Sequence, residues 1–162
     1  MHFSNKYFYP RENLAKKLYQ LSDASYEFGS PWTQKQFKED IINERSHYLM
    51  LVDQEIIAYL CYHQLFNEAE LFNIAICKKV QRKGHASTLL CKLNQILVEE
   101  QVDRIFLEVR QSNTSAQKFY ENSGFNYLSS RKRYYSDPVE DALVMVKKVR
   151  SERNNGRIDF SN

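Results

Sequence analysis

The segment from residue 73 to residue 100 constrains the fold of this chain more than any other. An apolar segment ends at Cys77, a short basic segment containing Gly84 follows, and apolar residues then recur at helical spacing. The members of this helical stripe are Ala86, Leu89, Leu90, Leu93, Ile96 and Leu97. The pattern predicts a strand, a tight basic loop, and a helix that begins at the loop.

The start of such a helix can bind an anion, because its first N–H groups are free and the helix dipole is positive there. Gly84 lacks a side chain and lets a phosphate approach the backbone, Arg82 and Lys83 add positive charge, and Ser87 and Thr88 add hydroxyl donors. The loop has neither the Gly-Lys-Ser/Thr ending of a nucleotide-triphosphate loop nor the spaced glycines of a dinucleotide motif. From these residues alone, a pyrophosphate site and an ordinary strand-to-helix connection are about equally supported.

Composition restricts the class of protein. With 162 residues, 43% of them hydrophobic, the chain suits one domain over 1–150, followed by a polar, flexible tail at 151–162. The net charge of +3 is too small for a typical nucleic-acid-binding protein. No apolar run reaches the roughly 18 residues that span a membrane, and the first residues lack the apolar core of a signal peptide. We therefore expect a cytoplasmic protein that binds neither nucleic acid nor membrane.

The cysteines and histidines show no pattern typical of a metal or redox site. The three cysteines are Cys61, Cys77 and Cys91. They lie far apart among apolar residues, which is typical of reduced, buried thiols. The four histidines show no metal-ligand spacing, and none is an obvious partner for a catalytic cysteine. We predict no metal.

The order of predicted elements indicates one mixed sheet with helices on both sides. The predicted strands are 3–9, 47–52, 56–66, 70–77, 104–110, 127–134 and 142–148, and the predicted helices are 12–28, 34–43, the central helix and 116–123. Thr33 and Gln36 form a capping box for the second helix, and Trp32 is expected to pack on Phe37 as a hydrophobic staple.

Glu108 stands in the otherwise apolar strand 104–110. Alternation places it on the same face as Phe106 and Arg110. One interpretation is a solvated face with an ion pair between Glu108 and Arg110. The other is a partly buried carboxylate that is suited to proton abstraction.

Tyr120 and Asn113 belong to the last predicted helix. Tyr120 can be a core aromatic residue or a proton donor, since a phenol pKa near 10 is close enough to a thiol pKa of about 8.5 for transfer to a departing thiolate. Asn113 is most simply the N-cap of this helix, although its chemistry also suits a cofactor ligand.

Several motifs resemble the GNAT superfamily of N-acetyltransferases. Gln81, Gly84 and Ala86 fit its loop Gln/Arg-x-x-Gly-x-Gly/Ala. The segments 71–76, 107–113, 119–125 and 131–145 look like the ribosomal-protein-alanine acetyltransferases of the RimI type, with one extra residue before Tyr134. The resemblance covers roughly 30–146, and its later motifs are far more specific than the loop.

This resemblance implies a GNAT fold of α/β type, with a mixed, mostly antiparallel seven-stranded sheet and four helices. The fourth and fifth strands would splay apart around the arm of acetyl-CoA. Glu108 would be the general base, Tyr120 the general acid, and Asn113 a cofactor contact. The backbone at Ile74, Ala75 and Ile76 would hold the pantetheine arm. The pyrophosphate would bind at Gln81, Arg82, Lys83, Gly84, His85, Ala86 and Ser87. The chain departs from the family at two of these positions, since the family often has glycine in place of Ala86 and a small hydrophobic residue in place of His85.

The acceptor is less constrained by the residues. Tyr134 and Tyr135 can hydrogen-bond an extended peptide, although β-propensity explains them equally well. Trp32, in the connection between the first two helices, is a further candidate contact, and this role is compatible with its expected packing on Phe37. Glu140 and Asp141 either attract a cationic N-terminus or form a solvated turn. The resemblance implies the N-terminal alanine of the eighteenth small-subunit ribosomal protein, whereas the residues alone support only a primary amine. A small amine, a lysine side chain or a non-catalytic acetyl-CoA-binding module are the alternatives, and no residue pattern indicates an oligomeric state.

Overall fold

The computed structural model describes residues 1–149 and contains seven strands and four helices in this part of the chain. The strands are β1 (His2–Asn5), β2 (Ser46–Asp53), β3 (Glu55–Leu65), β4 (Glu68–Ile76), β5 (Arg104–Arg110), β6 (Asn126–Ser136) and β7 (Val139–Lys148). The helices are α1 (Arg11–Ser25), α2 (Gln34–Ile41), α3 (His85–Glu99) and α4 (Thr114–Asn122), with short 3-10 helices at Lys6–Phe8 and Lys78–Val80. The predicted tail at 151–162 lies outside the described residues.

All seven strands belong to one sheet, in the order β1-β2-β3-β4-β5-β7-β6. Only β4 and β5 pair in parallel, across the α3 connection, and every other pair is antiparallel. The predicted fold is therefore confirmed: a mixed, mostly antiparallel seven-stranded sheet with four helices.

Two apolar cores cover the two faces of the sheet. One face packs against α3 and α4 through residues such as Leu93, Leu97 and Leu107. The other packs against α1 and α2 through residues such as Leu14, Leu18 and Phe37. This second face also carries Glu108, the residue expected to take a proton from the acceptor, and we therefore call it the acceptor face.

The local signals at α2 behave as predicted. The Thr33 hydroxyl accepts a hydrogen bond from the Gln36 N–H, and the Gln36 side chain accepts from the Thr33 N–H, which completes the capping box. The rings of Trp32 and Phe37 meet edge to face at 5.3 Å between centroids, as a hydrophobic staple.

Three other predictions need correction. The first strand ends at Asn5 instead of residue 9, because the Asn5 side chain accepts from the Tyr7 N–H and caps a 3-10 turn. The first helix ends at Ser25 instead of residue 28. Cys61 is buried as predicted, but Cys77 is half-buried and Cys91 is exposed, because Cys91 lies outside the apolar stripe of α3.

No helix within residues 1–149 is long and apolar enough to cross a membrane.

We expect Phe37→Ala to lower the free energy of unfolding by about 3–5 kcal/mol, because the fully buried ring fills the space between Trp32 and Tyr59. Urea denaturation measures this change. Phe8→Ala is the matched control, since Phe8 is 75% exposed and its loss should change stability by less than about 0.5 kcal/mol. Equal effects of the two substitutions would contradict the assignment of Phe37 to the core.

Candidate active site

A gap between β4 and β5 forms the centre of the candidate site. The two strands pair only from Glu68 to Leu71 and from Arg104 to Leu107. Beyond these pairs both strands continue, but no ladder connects them. On its other side, β4 carries an extra residue at Phe72, where its register with β3 shifts. The predicted separation of the fourth and fifth strands is therefore present.

The edge of β4 that faces this gap presents backbone groups. The Tyr26 hydroxyl donates to the Ile74 carbonyl at 2.8 Å and accepts from the Ile74 N–H at 3.3 Å. The Ile76 carbonyl accepts from the Ser25 hydroxyl at 2.9 Å and from the Gln81 side chain at 3.0 Å. The end of α1 and the basic loop therefore meet at the backbone predicted to hold the pantetheine arm. Ala75, between these residues, is buried in the core of the acceptor face.

The basic loop has the geometry of an anion site. Gly84 has a φ of 84° and precedes α3, and Arg82 also has a positive φ of 60°. The Thr88 N–H donates to the Gly84 carbonyl at 2.9 Å, and Gly84 has no side chain to cap the N–H groups of the first turn. A Cβ at Gly84 would meet no atom within 4 Å, so the space in front of this turn is open.

The other loop residues surround this turn. Arg82, Lys83 and Ser87 are exposed, whereas His85 and Ala86 are half-buried at the start of α3. The Thr88 hydroxyl donates back to the Gly84 carbonyl at 3.1 Å. The hydroxyl donor expected from Thr88 is therefore already used within the helix.

Glu108 is the first residue of β5 beyond its pairing with β4. Its side chain is 13% exposed, and its carboxylate forms an ion pair at 2.7 Å with Arg131 of β6, which is 59% exposed. A hydrogen bond to Glu108 and partial burial raise the pKa of Tyr134 to about 12. The interpretation as a solvated pair of Glu108 with Arg110 is wrong, because the longer-range partner Arg131 lies beside Glu108.

Arg110 has a different role. Its guanidinium forms an ion pair with Glu140 at 3.2 Å and donates to the carbonyls of Asp137 and Pro138. It also lies 4.1 Å from the centroid of the Tyr135 ring. Arg110 therefore binds the turn between β6 and β7 to β5.

The carboxylates of this turn are engaged within the protein. Glu140 accepts from the Ser112 N–H and pairs with Arg110, and Asp141 accepts from Lys132 at 2.8 Å and from the Arg133 N–H at 2.8 Å. Asp141 thereby supports the bulge in β6, where Arg133 has a φ of 52°. The sequence suggested that Glu140 and Asp141 either attract a cationic N-terminus or form a solvated turn. The structure shows instead that both carboxylates are bonded to groups of the protein itself.

Tyr120 reaches the site from the opposite face of the sheet. It is 8% exposed and packs among Phe119 and Phe125 in the core under α4. Burial raises the pKa of its phenol, and the nearby hydroxyls of Tyr26 and Tyr135 raise it further. The core interpretation therefore describes the ring. The phenol stays protonated at neutral pH, but burial moves its pKa further from that of a thiol than the comparison of ordinary pKa values suggested.

Asn113 caps α4, as predicted: its side-chain oxygen accepts from the Ala116 N–H at 3.1 Å. The residues expected to contact the acceptor lie on both sides of the gap. Tyr134 and Tyr135 come from β6, and their rings meet at 5.2 Å between centroids. Trp32 lies across the gap, where its ring contacts Phe72 at 6.1 Å.

A polar cluster adjoins this acceptor face at α2 and β3. The Asp40 carboxylate accepts from Ser46 at 2.7 Å, from Tyr48 at 2.5 Å and from Cys61 at 3.4 Å, and lies 2.7 Å from His63. The ligand atoms of Asp40, Cys61 and His63 lie within 4.8 Å of one another, a juxtaposition that spacing along the chain did not indicate. Hydrogen bonds account for each of these groups.

Sequence reasoning missed three features of the site. Tyr26 looked like one residue of a helical stripe, Arg131 lies on an edge strand without an apolar pattern, and the bulge at Phe72 leaves no local signal. A usable signal existed only for Arg131, which begins the last family-like motif.

Comparison with known proteins gives a consistent result. The model of the acetyltransferase (GNAT) family matches residues 15–125. The [ribosomal protein bS18]-alanine N-acetyltransferase of Haemophilus ducreyi is 36% identical over 136 residues, which cover 80% of this chain and 90% of that protein. The enzyme of the same name from Escherichia coli K12 is 33% identical over 130 residues, 79% of this chain and 86% of that protein. The crystal structure of the ribosomal-protein-S18-alanine N-acetyltransferase from Escherichia coli has a TM-score of 0.81 and 29% identity, covering 95% of this chain and 97% of that chain.

We expect Asn113→Ala to lower stability by about 1 kcal/mol and Asn113→Asp to restore most of it, because an aspartate oxygen also accepts the Ala116 N–H. Thermal unfolding measures this difference. If both substitutions leave the melting temperature unchanged, Asn113 is not a stabilising cap.

Burial would raise the pKa of Asp40, but hydrogen bonds from His63, Tyr48 and Ser46 outweigh it and lower this pKa. The ionised carboxylate therefore contributes stability above its unfolded pKa of about 3.9, and this contribution is lost as the pH falls through the folded pKa. We expect Asp40→Asn to cost about 1–3 kcal/mol at pH 7 and to weaken the fall of stability below pH 4. Urea denaturation from pH 7 to pH 3 tests this, and parallel pH profiles of wild type and variant would contradict it.

Proposed function

The chain belongs to the acetyltransferase (GNAT) family and is an N-acetyltransferase, and we propose that it acetylates the N-terminal alanine of ribosomal protein bS18 with acetyl-CoA. The observation that carries the proposal is the gap between β4 and β5, with Glu108 on one face of the sheet and Tyr120 reaching it from the other. The named activity of relatives that are 33–36% identical over most of this chain supports the choice of acceptor. Because ribosomal proteins are the proposed acceptors, we propose the cytoplasm as the compartment.

Acetyl-CoA would enter the gap with its pyrophosphate at the start of α3. The free N–H groups of the first turn, the open space at Gly84 and the exposed charges of Arg82 and Lys83 suit that group. The pantetheine amides would pair with the backbone of β4 from Ile74 to Ile76. The Ile74 carbonyl has two lone pairs and accepts only from Tyr26 within the described residues, so it can accept an additional donor. The Ile76 carbonyl already accepts from Ser25 and Gln81, so a new donor there would have to replace one of them.

The acceptor must lose a proton before it can react. A protein α-amine has a pKa of about 7.7–8.0, so much of it is protonated at neutral pH. Glu108 removes this proton directly or through a water molecule.

The deprotonated amine then attacks the thioester carbonyl carbon. A C–N bond forms, the C–S bond breaks, and the electron pair leaves with the sulfur of coenzyme A. Tyr120, which is protonated at neutral pH, donates its phenolic proton to this thiolate as the charge on the sulfur develops. Backbone N–H groups of β4 at the gap can stabilise the carbonyl oxygen as charge develops.

The acceptor peptide would lie on the acceptor face between Trp32 and the paired rings of Tyr134 and Tyr135. Trp32 also holds α2 in place through Phe37, so its structural role and a substrate contact are compatible.

The test is incubation of the enzyme and acetyl-CoA with three acceptors: a bS18 N-terminal peptide, a lysine peptide with a blocked N-terminus, and a polyamine. Mass spectrometry should find acetyl groups on the α-amine of the first. Preferential acetylation of the others would replace this proposal with a lysine or small-amine acetyltransferase, and tight acetyl-CoA binding without any transfer would indicate a binding module.

We expect Glu108→Gln and Tyr120→Phe each to lower kcat on the bS18 peptide by about 10²–10⁴-fold, because each removes one proton-transfer group. Acetyl-CoA affinity, measured by calorimetry, should stay within about 3-fold of wild type. Tyr127→Phe is the control for loss of a hydroxyl, since Tyr127 is 61% exposed on the edge strand β6. Full turnover by both folded variants would exclude the assigned base and acid.

A further inference from the structure

Glu70 is a carboxylate of the acceptor face that the described part of the fold does not use. It lies on β4, where its cross-strand neighbours are His63 of β3 and Phe106 of β5. Within residues 1–149, its carboxylate accepts no hydrogen bond and forms no ion pair. The other carboxylates around it are all engaged: Glu108 with Arg131, Asp40 with His63, and Glu140 with Arg110.

The position of Glu70 relative to Glu108 follows from the strand register. Phe106 pairs with Glu70, and Glu108 follows two residues later on the same face of β5. In a regular parallel sheet such diagonal neighbours have Cα atoms about 8 Å apart, so both side chains can reach one group placed between them. That group would lie at the start of the gap.

This arrangement is unfavourable without a cation. Burial, and then the negative charge of Glu108, raise the pKa of Glu70, and Arg131 and His63 offset only part of this effect. A half-buried carboxylate beside a second carboxylate destabilises the fold, and no hydrogen bond or ion pair in the described residues offsets this effect. Residues that break local rules in this way are typical of binding sites.

We propose that Glu70 is a positioning residue that binds the protonated α-amine of the acceptor beside Glu108. This inference rests on the proposed function of the same site. The charges of Glu70, Glu108 and Arg131 sum to −1, which complements one ammonium group. Glu70 thereby recruits the ammonium form that predominates at neutral pH, and Glu108 then takes its proton.

Amine recognition by Glu70 and proton transfer by Glu108 are separate steps, and the affinities of two peptides measure amine recognition. One is the bS18 N-terminal peptide, and the other has its N-terminal alanine replaced by a propionyl group, so that it lacks only the amine. Calorimetry gives the affinity of each for enzyme saturated with coenzyme A, a complex in which no transfer occurs. Wild type should bind the amine peptide about 10-fold more tightly, as a charge-assisted hydrogen bond provides.

Glu70→Gln should remove most of this preference and raise KM for the peptide, with kcat at saturating peptide within about 3-fold of wild type. Glu68→Gln is the matched control, because Glu68 lies two residues away on the same face of β4 and pairs with Arg104 instead. The control should keep the wild-type preference. The melting temperature of Glu70→Gln should equal or exceed that of wild type, since the substitution removes repulsion with Glu108.

Two results would overturn the inference. If Glu70→Gln distinguishes the two peptides as well as wild type does, Glu70 does not bind the amine. If its kcat falls as far as that of Glu108→Gln, Glu70 takes part in proton transfer instead of positioning. A wild-type enzyme that acetylates no peptide would instead refute the proposed function, and this outcome is distinct from both.

Discussion

The end of the pairing between β4 and β5 is the constraint on which the site depends. Four residue pairs hold these parallel strands together, and beyond Leu71 and Leu107 each strand keeps only its outer partner. Backbone N–H and C=O groups left inside a protein need partners. On the β4 side, side chains from α1 and the basic loop supply them at Ile74 and Ile76. In the proposed function, the Ile74 carbonyl also pairs with an extended amide chain, which makes the gap in the sheet the proposed binding edge.

The two faces of the sheet divide the chemistry. The face under α3 and α4 carries the larger apolar core and the helix start that suits pyrophosphate, and Tyr120 reaches the gap from this side. The acceptor face carries Glu108 and a series of polar groups from His63 to Arg131. In the proposed mechanism the acid and the base approach the reacting atoms from opposite directions, which suits an amine that attacks on one side and a thiolate that leaves on the other.

Charges on the acceptor face are closely paired, and this explains why one unpaired carboxylate is informative. Arg110 is bound by Glu140 and by the turn after β6, and Asp141 supports the neighbouring bulge. Asp40, on α2, accepts hydrogen bonds from residues of β2 and β3. Once these bonds are assigned, Glu70 has no hydrogen-bond or ion-pair partner within residues 1–149, as expected if its partner arrives with the substrate.

The sequence by itself determined the elements and the chemical type of each group. The order of strands and helices, the capping box at Thr33, the staple of Trp32 on Phe37 and the cap at Asn113 depend on neighbours within a few residues, so local patterns predicted them. The residues of the basic loop allowed a phosphate site or an ordinary connection, and the resemblance favoured the former. The resemblance carried by the later motifs implied a base and an acid. Only the tertiary structure decided which charges meet. The spacing of Glu108 and Arg110 suggested an ion pair, yet β6 brings Arg131 to Glu108 and the β6–β7 turn brings Glu140 to Arg110. Such partners come from strands that are distant in sequence, and strand register, which local patterns do not encode, sets which of them meet.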